Sequence, residues 1–79
     1  MARAIRFGNC GVYVYDERGA PHHRPHAHIK HRGRRIASIF LETLVVFDQV
    51  EPVPGELLEE IRAQHEVLID LWLELNDDA

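Results

Sequence analysis

At 79 residues, 46% of them hydrophobic, the chain has the length of one domain and enough apolar side chains for a modest core. Cys10 is the single cysteine, which excludes an intrachain disulfide. No apolar run reaches the roughly 18–20 residues that span a bilayer, and the charged start Met-Ala-Arg-Ala-Ile-Arg has no apolar segment behind it. Neither a membrane anchor nor a signal peptide is expected, and the chain reads as cytoplasmic. The net charge of −4 is divided: residues 1–35 carry eight Lys/Arg against Asp16 and Glu17, net +6, and residues 36–79 carry Arg62 against eleven Asp/Glu, net −10. The division fits a polyanion-facing surface on one side, or two halves that attract each other within the fold.

In chain order, residues 5–7 form a short strand candidate, broken by Gly8-Asn9. The run Val12-Tyr13-Val14-Tyr15 is β-branched and aromatic, so 10–15 reads as a strand closed by the turn Asp16-Glu17-Arg18-Gly19. Residues 20–25, with prolines around His22-His23-Arg24, read as a loop of restricted backbone. Residues 26–31 alternate His26, His28 and Lys30 on one face with Ala27, Ile29 and His31 on the other, the period of a strand. Arg32-Gly33-Arg34 then turns the chain into a strand over 35–41, and Glu42-Thr43 turns it into another over 44–47.

After a linker, Pro54 stands where a first-turn proline is tolerated, and Glu56, Glu59 and Glu60 suit a helix N-terminus. Leu58, Ile61, His65, Leu68, Trp72 and Leu75 recur at steps of three and four, one apolar stripe on a helix over 54–76. These elements predict a single α+β domain over 1–79: a small antiparallel sheet of three to four strands, with one long C-terminal helix packed on it.

The chemistry concentrates in residues 21–31, Pro-His-His-Arg-Pro-His-Ala-His-Ile-Lys-His, which hold five of the six histidines. Imidazole is both the acid–base group nearest neutrality and the commonest metal ligand, so two readings stand. In the first, His26 and His28 are an acid–base pair for RNA cleavage without a metal. Arg24, Lys30, Arg32, Arg34 and Arg35 hold the phosphate backbone, and Tyr13 or Tyr15 stacks on a base or donates a proton. In the second, His26-x-His28 faces one side of a strand and, with His22 and His23 from the loop, holds Zn or Ni. A third reading has no chemistry: a hydrogen-bonded histidine loop that binds a partner protein. His65, alone among leucines on the helix stripe, reads as a half-buried structural group, and Cys10 as structural.

The segments H-H-R-P-H-A-H-I-K, L-E-T-L, V-P-G-E-L and L-I-D-L-W-L-E-L-N together resemble a small bacterial family of unknown function. That family is marked by a P-H-x-H-V motif after an aromatic strand, with a branch that reads H-H-x-P-H-x-H-V and ends in W-x-x-L-N. The resemblance covers about residues 11–76 and is most specific at Pro25-His26-Ala27-His28. Ala27 stands where the family more often has a larger or sulphur-containing residue, and Glu42 stands where the branch has proline. The resemblance implies the toxin component of a type II toxin–antitoxin pair, with a small antitoxin-like protein encoded nearby as partner. Its carry-over rests on His22, His23, Pro25, His26 and His28.

The expectation is a toxin-like protein acting on RNA through His26 and His28, with Arg24, Lys30, Arg32, Arg34 and Tyr15 binding substrate and no cofactor. The alternative is a Zn- or Ni-binding or regulatory module using His22, His23, His26 and His28. An edge strand in so small a sheet also makes a homodimer an expected arrangement.

Overall fold

The computed structural model describes residues 2–15 and 24–76. Five strands form one antiparallel sheet: β1 (Ala2–Phe7), β2 (Cys10–Val14), β3 (His26–His31), β4 (Arg34–Phe40) and β5 (Val46–Phe47). Their order in space is their order in the chain. The sheet therefore has five strands where three to four were expected. The added pairing is at the edges, where β1 extends from the expected 5–7 back to Ala2 and β5 shrinks to two residues.

Local chemistry accounts for the turns. Arg32 and Gly33 both have positive φ, 53° and 81°, the two-residue arrangement whose twist matches a hairpin. Gly8, at φ 58°, makes the turn between β1 and β2, and the Arg32 amide donates to the Asn9 carbonyl at 2.8 Å, joining the two hairpin ends. Ile36 is an extra residue in β4, between the pairs Ile29–Ala37 and Lys30–Arg35. This bulge lets Ile36 and Ala37 both be buried although they are neighbours in sequence.

The predicted single helix over 54–76 is two segments, α1 (Gly55–Ala63) and α2 (His65–Asn76). They meet at Gln64, whose φ of −107° and ψ of 21° lie outside helical values. Length explains the break. A straight helix over 54–76 would run roughly 34 Å, well beyond the roughly 20 Å of a six-residue strand. The bend keeps both segments over the sheet, and an imidazole nitrogen of His65, just past it, is hydrogen-bonded to the Leu41 carbonyl at the end of β4. His65 is thus engaged as a half-buried structural group.

The core lies between one sheet face and the helices. Val12, Val14, Ala27, Ile29, Ala37, Ile39 and Leu41 face Leu57, Ile61, Leu68 and Trp72, all buried. Leu57 takes a core place that the predicted stripe gave to Leu58, which is only partly buried. No helix among the described residues is long and apolar enough to cross a membrane.

Candidate functional site

Because side chains alternate along a strand, burying Val12, Ala27, Ile29 and Ile39 against the helices sends their neighbours to the other face. Register then decides which of these meet. Tyr13 pairs with both Arg3 and His28, Gly11 with Arg6 and Lys30, His26 with Phe40, and Ser38 with both His28 and Phe47. The outer face of the sheet thus carries cations, aromatic rings and two histidines. The helices behind it carry Glu56, Glu59, Glu60, Glu66, Asp70 and Glu74. Much of the charge division of the sequence is thus a division between faces, with Asp48 an acid at the outer one. Among the described residues, Arg34 and Glu51, 2.6 Å apart, form an ion pair between the two halves.

His26 and His28 stand side by side, ring centroids 5.3 Å apart. The Tyr15 ring meets His28 edge-on at 4.8 Å, and Phe47 lies 6.2 Å from His26. His26 Nδ1 is 2.8 Å from the Arg24 carbonyl. A carbonyl oxygen only accepts, so Nδ1 carries the proton, and in the neutral ring the basic lone pair sits on Nε2. The Lys30 ammonium lies 4.8 Å above the Tyr13 ring and 5.2 Å from the Tyr15 ring. The Arg24 guanidinium lies 4.1 Å over Phe40, whose ring stacks on Phe47 at a centroid distance of 4.1 Å.

Gly11 has a specific part in this face. A Cβ built there would fall 2.8 Å from Cε1 of Tyr13, so the tyrosine ring lies down over the glycine. A cavity of about 260 Å³ opens beside it, lined by Arg3, Arg6, Tyr13 and Lys30 among others. Its cations suit an anion.

The fold brings Arg24, Lys30, Tyr15, His26 and His28 together. It does not bring Arg32 and Arg34 to them. Arg32 sits at the tip of the β3–β4 hairpin, five residues along β3 from His26 and beyond, and the Arg34 guanidinium is bound by Glu51. Arg35, opposite Lys30, is the residue of that basic run placed on the outer face. His22 and His23 lie outside the described residues. Among the described residues, no group of three His, Cys, Asp or Glu side chains is gathered for a metal ion.

Sequence reasoning missed Phe40, Phe47, Arg3 and Arg6 as members of this face. The alternation of Ile39 with Phe40 held a signal for the first. Phe47 and the two arginines depend on edge pairings that short or weakly β-forming runs do not announce.

Compared with known proteins, the chain matches no family model, no curated protein and no solved structure.

Proposed function

We propose that the outer sheet face binds RNA and that His26 and His28 cleave it as an acid–base pair, the chain being the toxin-like half of a bacterial type II toxin–antitoxin module. The observation that carries this reading is the placement of two adjacent imidazoles, 5.3 Å apart, within a face of cations and rings. Cations attract the backbone of a single strand, and rings offer stacking to its bases.

The chemistry follows from the tautomer. His26 Nε2 takes the proton of a 2′-hydroxyl, whose oxygen attacks the adjacent phosphorus. The 5′-oxygen leaves with a proton from protonated His28, giving a 2′,3′-cyclic phosphate and a 5′-hydroxyl end. Arg24 and Lys30 neutralise the phosphate oxygens as charge builds. The biological setting rests on the resemblance of the Pro25-His26-Ala27-His28 segment to the P-H-x-H-V family of unknown function, which implies an antitoxin-like protein as partner in the cytoplasm. The edge of β1 offers the place where a second copy would pair.

The test is growth inhibition and RNA cleavage by wild type and by the His26→Ala/His28→Ala double variant, with circular dichroism to confirm folding. Loss of both activities in a folded variant is expected. Full toxicity of the double variant overturns the assignment.

A further inference from the structure

Beside the histidine pair, at the end of the face away from the cationic cavity, lies a second cavity of about 430 Å³. Its walls are Arg24, His26, Phe40, Phe47 and Asp48. The size falls within the range of roughly 300–1,000 Å³ typical of small-ligand sites. We infer that this cavity is a nucleobase pocket that selects guanine, placing the base of one nucleotide next to the imidazoles; the inference rests on the RNA-binding reading of the face.

Three features of the walls argue for a flat heteroaromatic occupant. Phe40 and Phe47 are stacked with their planes 14° apart, and the Arg24 guanidinium extends that column from 4.1 Å over Phe40. Phe47 and Arg24 cover the two faces of Phe40, so a base entering here meets the edges and the ends of this column, of the kind on which single-stranded bases pack. His26 is itself a wall, so a base held in the pocket brings its own sugar and phosphate to the histidine pair. The cations on the same face favour an occupant attached to a polyanion over a neutral aromatic metabolite.

Asp48 supplies the selection. An ionised carboxylate only accepts hydrogen bonds. Guanine presents two adjacent donors, N1–H and the N2 amino group, to a pair of carboxylate oxygens. Adenine and cytosine place an acceptor beside their single amino group, and uracil has one N–H between two carbonyls. The backbone also holds Asp48 in place: its φ is 49°, a left-handed conformation that Asp and Asn tolerate, and its carbonyl accepts from Arg35 Nη1 at 3.0 Å. Asp48→Asn therefore keeps the fold and the Arg35 contact while replacing one acceptor by a donor.

The experiment is fluorescence anisotropy with 2′-O-methylated hexamers, which cannot be cleaved: U₂GU₃, the same strand with inosine or adenosine for guanosine, and U₆. Wild type is expected to bind the guanosine strand roughly tenfold more tightly than the inosine strand, which lacks only the N2 amino group, the effect of one hydrogen bond to a charged group. Asp48→Asn is expected to abolish that preference, binding the guanosine and inosine strands equally. Equal wild-type affinity for all four strands overturns the pocket and leaves RNA binding standing. A guanosine preference that survives Asp48→Asn overturns the selection by Asp48. Failure to bind any strand at low salt overturns both the pocket and the RNA reading.

Discussion

The side-chain amide of Asn76, at the end of α2, donates to the backbone carbonyl of Tyr15 at 3.0 Å, joining residues 61 apart in the chain. The same nitrogen is 3.0 Å from the Trp72 carbonyl. The last turn of the helix thereby holds the end of β2, where the Tyr15 ring leans on His28. Asn76→Asp has no amide donor and sets a charge against two carbonyls. It is expected to lower stability by about 1–3 kcal/mol, or on the order of 10 °C in Tm for a domain of this size. Thermal unfolding followed by circular dichroism reads this out. Tyr15→Phe, which leaves the carbonyl in place, is the control and should melt close to wild type.

Gly11 and Tyr13 make a second linked pair. Gly11→Ala must push the Tyr13 ring away, because the new Cβ would lie 2.8 Å from Cε1. A side-chain tip can move at little cost to the fold, so the expected change in stability is within about 1 kcal/mol. The Tyr13 ring resonances in an NMR spectrum should shift strongly, and the Lys30 side chain with them. In a Tyr13→Leu background Gly11→Ala should disturb the Lys30 resonances far less, a coupling that a double-mutant cycle measures. Equal Lys30 shifts in both backgrounds would mean that Tyr13 does not transmit the effect.

Trp72 is 6% exposed, and among the described residues its indole nitrogen has no hydrogen-bond partner. Removing a buried donor that is not paired relieves about 1–3 kcal/mol of desolvation cost, which offsets much of the area lost on shortening the ring system. Trp72→Phe is therefore expected within about 1 kcal/mol of wild type, whereas Trp72→Ala should cost roughly 3–5 kcal/mol. Urea unfolding separates these outcomes. A large loss for Trp72→Phe would show that the indole nitrogen has a partner after all.

The acid–base reading and the metal reading differ in their response to chelation. RNA cleavage by untagged protein is expected to persist in EDTA, with metal content by mass spectrometry well below one equivalent. One equivalent of Zn or Ni, lost in the His26→Ala/His28→Ala variant, would instead assign His26 and His28, with His22 and His23, to an ion.

The sequence marked β3 at both ends, because His26–Lys30 alternates polar and apolar residues and the Arg32-Gly33 turn follows His31. It marked β2 and β4 to within one residue at each end, where β-branched residues cluster. The start of β1 was not legible, since Ala-Arg-Ala has little strand preference of its own and is held by pairing with Val14 and Tyr13. The helix stripe was legible, but its bend was not. Gln64 is an ordinary helix former, so nothing in its own preference marks the bend, which answers the reach of the strands beneath it. Of the site, the histidine pair with Arg24, Lys30 and Tyr15 could be read from period two and local spacing. Phe47 and Asp48 could not, because the five residues between β4 and β5 return them to His26 by a path that periodicity does not describe.

All five strands precede both helices in the chain, yet the helices cover the sheet's apolar face. A ribosome therefore finishes the sheet before it makes its cover. Until residues 55–76 emerge, Val12, Ile29, Ile39 and Leu41 have nothing to pack on, and a nascent chain in that state is prone to associate with others. Nearest-neighbour strand order makes the hairpins quick to close, so a chain ended after Phe47 is expected to form strands and to aggregate.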